Sequence, residues 1–280
     1  MTTKAIRHLA VSTPQGNSGV LARENGYFFQ YSPDIAPESE IALNMQRRME
    51  PYRSQTLLPI FEMNLPEGYF ICMGIVREAG VPVPDFYLSE NRRLFVMRRF
   101  DRTSAGEPIG FEDMASLMGR SAQEKYTGSY TQVARAIEAY CAPEHVSQAK
   151  AQLFDQVVLS VMLGNGDAHL KNFGLLYTHP LAGDVRMAPA YDIVNTTRYI
   201  PEDQLALTLN GSKSLFRARA EILPFAKVCG ISDPVERLGQ LIRAAETIMF
   251  TQQELLDDET ELRDAIRQGI DLFTDTYERA

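Results

Sequence analysis

Leu163-Gly164-Asn165-Gly166-Asp167-Ala168-His169-Leu170-Lys171-Asn172-Phe173-Gly174 is a polar loop set between two apolar segments. Before it, Phe154, Val157, Val158, Val161 and Met162 fall at i, i+3, i+4, i+7 and i+8, the spacing of one buried helix face. After it, Phe173 to Met187 reads as a β-hairpin, and Ala190-Tyr191-Asp192-Ile193 comes next. A helix, a tight loop and a hairpin can aim Asp167, Asn172 and Asp192 into one cleft. Phosphoryl transfer uses such a set. One carboxylate orients or deprotonates the attacking hydroxyl, while an Asn and a second Asp hold Mg²⁺ against the phosphates. Mg²⁺ prefers hard oxygen donors and few protein ligands. The D-x(4)-N spacing alone is weak. The fuller Gly-Asp-x-His-x-x-Asn, between an apolar helix and a hairpin ending in Tyr-Asp, is far more specific.

Around this loop, the 280 residues carry 28 Lys+Arg against 36 Asp+Glu, a net charge of −8. That balance argues against a free-standing nucleic-acid binder, which needs an excess of cations to neutralise phosphates. At 45% hydrophobic and 23% charged, the chain can bury a core. Cys72, Cys141 and Cys229 lie far apart with no C-x-x-C, which fits a reducing compartment and small buried apolar roles. The N-terminus has no apolar signal region. The longest apolar run, Val157–Leu163, is far short of the ~20 residues of a membrane span. The expectation is an acidic, soluble, cytoplasmic chain with no membrane partner.

Upstream, residues 5–31 read as short strands, with a turn at Glu24-Asn25-Gly26. A helix is expected around Ile41–Met49. Leu57–Phe61 and Asn64-Leu65-Pro66-Glu67-Gly68 read as irregular. Ile71–Ala79 reads as a helix stopped by Gly80, and Phe86–Leu88 with Leu94–Met97 as a hairpin turning at Ser89–Arg92. After Arg102 the pattern is mostly helical. Val133, Ala136, Ile137 and Tyr140 carry one stripe, and residues 233–250 and 252–273 are helical, the first opened by Pro234 after Asp233. The order suits an α+β, bilobal enzyme with a small β-rich N-terminal subdomain and a mostly helical C-terminal lobe.

Asn165–Phe173 and Pro189-Ala190-Tyr191-Asp192 resemble the HipA-like serine/threonine kinase toxins of bacterial HipBA toxin–antitoxin pairs. Arg99-Phe100-Asp101-Arg102, Ala206–Gly211 and Leu65-Pro66-Glu67-Gly68 match further, in the family's order. The resemblance implies a bilobal protein-kinase-like fold and an ATP- and Mg²⁺-dependent protein kinase. In it Asp167 is the catalytic Asp, Asn172 and Asp192 are Mg²⁺ ligands, and Val96, Met97, Arg98, Arg99 and Phe100 form the hinge that holds adenine. His169 and Lys171 are counted with the nucleotide site, His169 as a brace of the loop and Lys171 as a phosphate or substrate contact. It further implies a helix-turn-helix, HipB-like antitoxin as partner, a protein substrate, and DNA contact mainly through the antitoxin. The division drawn is 1–70 for the β-rich subdomain, 71–102 for the rest of the nucleotide-covering lobe and hinge, and 103–280 for the helical lobe.

The sequence also departs from that family. Gly68-Tyr69-Phe70 runs directly into Ile71-Cys72-Met73, and residues 60–100 hold no Gly-rich loop followed by a strand Lys. The chain is short for the family, so the nucleotide-covering lobe reads as cut at Phe70–Ile71. The segment is either absent from the molecule or present between those two residues in a longer chain, and the second is favoured because losing a core strand exposes apolar surface and unpaired edges. A second hypothesis is therefore a catalytically inactive kinase-like module that binds an antitoxin or another protein. A third stays within phosphotransfer, since phosphoinositide kinases and aminoglycoside phosphotransferases carry related loops. Among simpler readings, Asp167 alone could merely accept backbone N–H bonds, Lys171 could be a solvated charge, Tyr191 packs, and Arg98, Arg99 and Arg102 pair with local acids.

Overall fold

The computed structural model describes residues 8–13, 16–24, 26–41, 45–55, 58, 66–90, 92 and 94–277. The chain divides into two compact units, Met1–Leu65 and Pro66–Ala280.

The first unit is an antiparallel meander of β1 (His8–Thr13), β2 (Gly16–Glu24), β3 (Gly26–Tyr31) and β4 (Tyr52–Ser54), in that spatial order. β2 and β3 run from Gly19 opposite Tyr31 to Glu24 opposite Gly26, so the expected turn joins them, with Asn25 itself outside the described residues. Phe29 and Tyr31, two apart on one strand, share a face and pack with Leu21, Ile35, Met45 and Leu58. The helix expected around Ile41–Met49 is not found where the chain is described. Residues 42–44 lie outside the described set, and Met45–Met49 is irregular. Side chains tie this segment to its surroundings instead. The Tyr31 hydroxyl accepts from Ile41 N–H at 3.0 Å and donates to the Met45 carbonyl, and Arg47 donates to the Ile35 carbonyl at 3.1 Å. Most of Leu57–Phe61 lies outside the described residues.

The second unit opens with α1 (Pro66–Glu78), which is helical five residues earlier than the periodicity indicated. Proline is well placed at a first helical position, and Glu67 complements the positive end of the helix. The backbone is thus one continuous helix across Phe70 and Ile71, so the segment favoured as lying between them is not there, and the units part between Leu65 and Pro66, not at residue 70. Ile71, Cys72, Met73, Ile75 and Val76 are all buried. Gly80, at φ +78°, ends the turn, and the hairpin β5 (Phe86–Leu88) and β6 (Phe95–Met97) comes after it as expected. Asn91 of its turn is not among the described residues.

A strand that the helical reading did not anticipate comes next. β7 (Gly110–Asp113) pairs antiparallel with β8 (Gly174–Tyr177), which pairs with β9 (Arg186–Met187). The β8–β9 hairpin is the one expected after the polar loop. β7 is four residues with no alternation, and its partner is distant in sequence. Around this sheet lie α2 (Met114–Leu117), α3 (Tyr130–Tyr140), α4 (Pro143–Met162), α5 (Leu215–Cys229), α6 (Pro234–Thr251), α7 (Gln253–Asp257) and α8 (Thr260–Tyr277). Asp233 caps α6 by accepting from Glu236 N–H at 3.0 Å, and Pro234 occupies the first position. On α3, Val133, Ala136 and Ile137 are buried, but Tyr140 is half exposed and donates its hydroxyl to the Leu117 carbonyl at 3.2 Å.

α4 packs on α5 and α8, and α1 on α6. Residues 152–162 of α4 are buried all round, so its last turns anchor the start of the polar loop. The three cysteines are free and buried, and burial pushes the Cys72 thiol up to about 12. Among the described residues no helix is long and apolar enough to cross a membrane.

Candidate active site

The loop that carries Asp167 leaves α4 at Gly164, which stands at φ +65°. The segment 195–203 braces it from behind. Asn195 Nδ2 donates to the Leu163 carbonyl at 2.6 Å, and the Thr196 and Thr197 N–H groups donate to the Gly164 carbonyl at 3.0 and 3.2 Å. Gly166 N–H donates to Thr196 Oγ1 at 2.8 Å, and that hydroxyl donates to Asp203. A Cβ on Gly166 would lie 2.0 Å from Asp203 Oδ2, so only glycine fits the close approach. Sequence reasoning did not find Asn195, Thr196 or Asp203. Their only mark was a polar cluster after Tyr191-Asp192.

Asp167 N–H donates to Asn165 Oδ1 at 3.0 Å. Its carboxylate, with the side chain 40% exposed, accepts from the Tyr126 hydroxyl at Oδ1 (2.7 Å). His169 is buried, with Nε2 4.0 Å from the same oxygen. Burial holds the His169 imidazole below its ordinary pKa, against the opposing pull of Asp167. His169 N–H donates to Asn172 Oδ1 at 3.2 Å, so the residue sits within the loop's own bracing.

Asn172 ends a 3-10 turn, Leu170–Asn172, and donates Nδ2 to Asp192 Oδ2 at 2.6 Å. The Tyr69 hydroxyl, from α1, donates to Asp192 Oδ1 at 3.2 Å, and the Tyr69 ring stacks on Phe95 of β6 with centroids 5.7 Å apart. Asp192 is held at φ +56°, a conformation that Asn and Asp tolerate better than most residues. Burial first, and the nearby charge of Asp167 second, raise its pKa above the ordinary carboxylate value. Lys171 stands 3.9 Å from Asp113, and its carbonyl accepts from the Tyr191 hydroxyl at 2.6 Å.

Val96, Met97, Arg98, Arg99 and Phe100, the stretch expected to hold adenine, lie on β6 and just beyond it. Val96 is exposed and Met97 half-buried. Arg98 N–H donates to the Asp85 carbonyl at 2.8 Å, and its guanidinium pairs with Asp85 at 3.3 Å. Arg99 grips Asp101 with two nitrogens. Phe100 packs against Tyr191 at 5.1 Å, next to Asp192. Two separate aromatic groups thus flank Asp192, Tyr69 with Phe95 and Tyr191 with Phe100 and Phe111.

This donor set suits a hard divalent cation. Asn172 and Asp192 are already in contact, and Asp192 is half-buried within the field of a second carboxylate, Asp167. A cation there would relieve that repulsion. Among the described residues no three His, Cys, Asp or Glu converge into a closed cage. Mg²⁺ needs none, because it keeps waters and phosphate oxygens among its ligands. The sequence has no lysine between Lys4 and Lys125, so any cation drawn to phosphates here is an arginine or a later lysine.

A family model described as the HipA-like C-terminal domain matches residues 58–251, and one described as the HipA N-terminal domain matches residues 9–87. The chain belongs to the HipA-like family. The Sinorhizobium fredii protein named "Putative kinase Y4dM" is 31% identical over 167 residues, 54% of this chain and 39% of that protein. A Haemophilus influenzae protein with the same kinase description is 30% identical over 150 residues, 48% of this chain and 42% of the other. These matches thus span about two fifths of each curated relative's length. Among solved structures, HipA of Shewanella oneidensis MR-1, in complex with HipB and operator DNA, superposes with a TM-score of 0.61. That match covers 98% of this chain and 65% of the other at 17% identity. The shared feature is the fold, and the HipA-like chain is α+β and kinase-like, as its sequence indicated.

Proposed function

We propose that this HipA-like chain is a serine/threonine protein kinase that transfers the γ-phosphoryl group of ATP to a protein hydroxyl. The observation that supports it most is the Asn172–Asp192 pair, joined at 2.6 Å within the field of Asp167. In this reading Asp167 accepts the hydrogen bond of the attacking hydroxyl and orients it. Asn172 and Asp192 hold Mg²⁺, and Val96–Phe100 holds the adenine. His169 braces the loop and Lys171 meets phosphate. Mg²⁺, when bound, neutralises charge on the phosphates. Tyr69 and Tyr191 partly desolvate the surroundings of Asp192, and lower local polarity strengthens its charge interactions.

The same reading makes the chain a toxin held by a HipB-like, helix-turn-helix antitoxin, with DNA reached through that partner, in a reducing cytoplasm. The net charge of −8 suits indirect DNA contact. The test is γ-phosphoryl transfer to protein by the wild-type chain and by Asp167→Asn. Loss of the orienting carboxylate is expected to lower the rate by about 10²-fold or more. Equal transfer by both would remove the role assigned to Asp167.

One observation favours a second reading. With no lysine between Lys4 and Lys125 and no Gly-rich loop in residues 60–100, the chain could serve as a kinase-like module that binds a partner without turnover. It predicts antitoxin binding with no transfer by either form.

A further inference from the structure

We infer that Tyr126 is a positioning residue for Asp167, and that its hydroxyl dedicates one oxygen of the catalytic carboxylate and leaves the other for the substrate. The inference rests on the kinase reading above. The Tyr126 hydroxyl donates to Asp167 Oδ1 at 2.7 Å, the distance of a strong O–H···O⁻ bond. The same oxygen faces His169 Nε2 at 4.0 Å. Oδ1 is therefore committed inside the protein, and the acceptor hydroxyl is left with Oδ2. The last torsion of an Asp side chain is broad, so a carboxylate without such a bond samples a wide arc.

Two observations separate a built brace from a chance contact. The first is the backbone on either side of Tyr126. Leu170 N–H donates to the Lys125 carbonyl at 3.1 Å, which ties the segment directly to the loop that carries Asp167. Lys213 Nζ donates to the Tyr126 carbonyl at 3.0 Å and to the Ala206 carbonyl at 2.7 Å. Upstream, Ser121 N–H and Oγ both donate to Glu124, at 2.9 and 2.8 Å, which closes the preceding turn. The second is the ring itself. It stands edge-on to His169 with centroids 5.1 Å apart, and the Lys125 ammonium lies 4.9 Å from its centre. The backbone from which the 42% exposed Tyr126 projects is thus fixed on both sides, and its ring edge and hydroxyl are fixed by His169 and Asp167. That hydroxyl belongs to the machinery that aims Asp167.

A positioning group acts on the chemical step more than on binding, so its loss shows in kcat and not in KM. Misplacing a reacting group by about 1 Å can cost on the order of 10²-fold. The test uses the full chain with Mg²⁺-ATP and dephosphorylated casein as the acceptor. Four forms are compared: wild type, Tyr126→Phe, Asp167→Asn and the double variant. Thermal unfolding of each confirms the folded state. The expected result is a fall in kcat of about 10- to 100-fold for Tyr126→Phe, with KM for ATP and for casein within about threefold. In the Asp167→Asn background, Tyr126→Phe should cost nothing further, because the group it aims is gone. A kcat within twofold of wild type, a faster variant, a change confined to KM, or an equal loss in both backgrounds would each overturn the inference. If wild type and Asp167→Asn transfer equally, the role of Asp167 fails, and if neither transfers, the kinase reading fails; either result takes this inference with it. If Asp167→Asn is dead while Tyr126→Phe matches wild type, only this inference fails.

Discussion

Asn172 donates its side-chain amide to Asp192 at 2.6 Å, and so couples the end of the polar loop to the segment just beyond the β8–β9 hairpin. Both Asp192 oxygens are engaged, the second by Tyr69. The carboxylate nevertheless stays costly to ionise, because it is partly desolvated and faces the charge of Asp167.

That cost predicts opposite effects of one change on stability and activity. Asp192→Asn removes the charge, keeps the shape and tolerates φ +56°. Its thermal midpoint without nucleotide should equal or exceed wild type, while phosphoryl transfer falls by about 10²-fold or more. Asp192→Ala should unfold earlier than Asp192→Asn, since a left-handed backbone costs an ordinary residue roughly 1–2 kcal/mol. Differential scanning fluorimetry and a transfer assay check both. An active Asp192→Asn would remove Asp192 from the metal-holding role.

The buried pair of Arg237 and Asp155 makes a second prediction. Nε and Nη2 of Arg237 reach the two carboxylate oxygens at 2.8 and 2.6 Å, and Nη2 also donates to the Ala79 carbonyl at 3.0 Å. The pair thus ties α6 to α4 and to the end of α1. Asp155 is 10% exposed, and burial holds its pKa above the ordinary value despite Arg237. Arg237→Met strands that charge and should cost roughly 3–5 kcal/mol at pH 7. A folded-state pKa above the unfolded one means the native chain binds the proton more tightly. Stability from that proton is full below the unfolded pKa and is lost as pH rises through the folded pKa. The deficit of Arg237→Met should therefore shrink at pH 4.5. Urea denaturation at the two pH values decides it, and a deficit that grows on acidification would refute the account.

Two glycines on helices should respond in opposite directions to the same change. A Cβ on Gly269 would meet the Met162 carbonyl oxygen at 1.9 Å, so α8 lies directly against the end of α4, just before the polar loop. Gly269→Ala must push the helices apart and is expected to destabilise by roughly 1–3 kcal/mol, as overpacking does. A Cβ on Gly74 would meet only the Ile248 side chain at an ordinary 3.7 Å. Gly74→Ala should gain up to about 1 kcal/mol in helix propensity. Chemical denaturation of both variants would expose a wrong sign in either.

The polar loop and its neighbours were legible because their signals are local. The stripe Phe154–Met162 is buried in α4, Asp233-Pro234 opens α6, and the hairpin comes after Phe173. Three expectations gave way where distant partners decide. Pro66-Glu67-Gly68 looks like a breaker run, yet it starts α1, since proline costs nothing at a first position. Gly110–Asp113 has no strand pattern of its own and becomes β7 only by pairing with β8. Tyr140 lies on the stripe of α3, but its hydroxyl draws it to the surface.

The order of residues in 163–192 was enough to single out Asp167, Asn172 and Asp192 as candidates, because they lie close in sequence and their spacing constrains where they can point. Only the tertiary structure decided what holds them. Tyr126, Tyr69, Asn195, Thr196 and Asp203 arrive from other segments through bonds that no local period encodes. A side chain's chemistry is written at its own position, whereas the partners that aim it depend on which distant surfaces the core brings together.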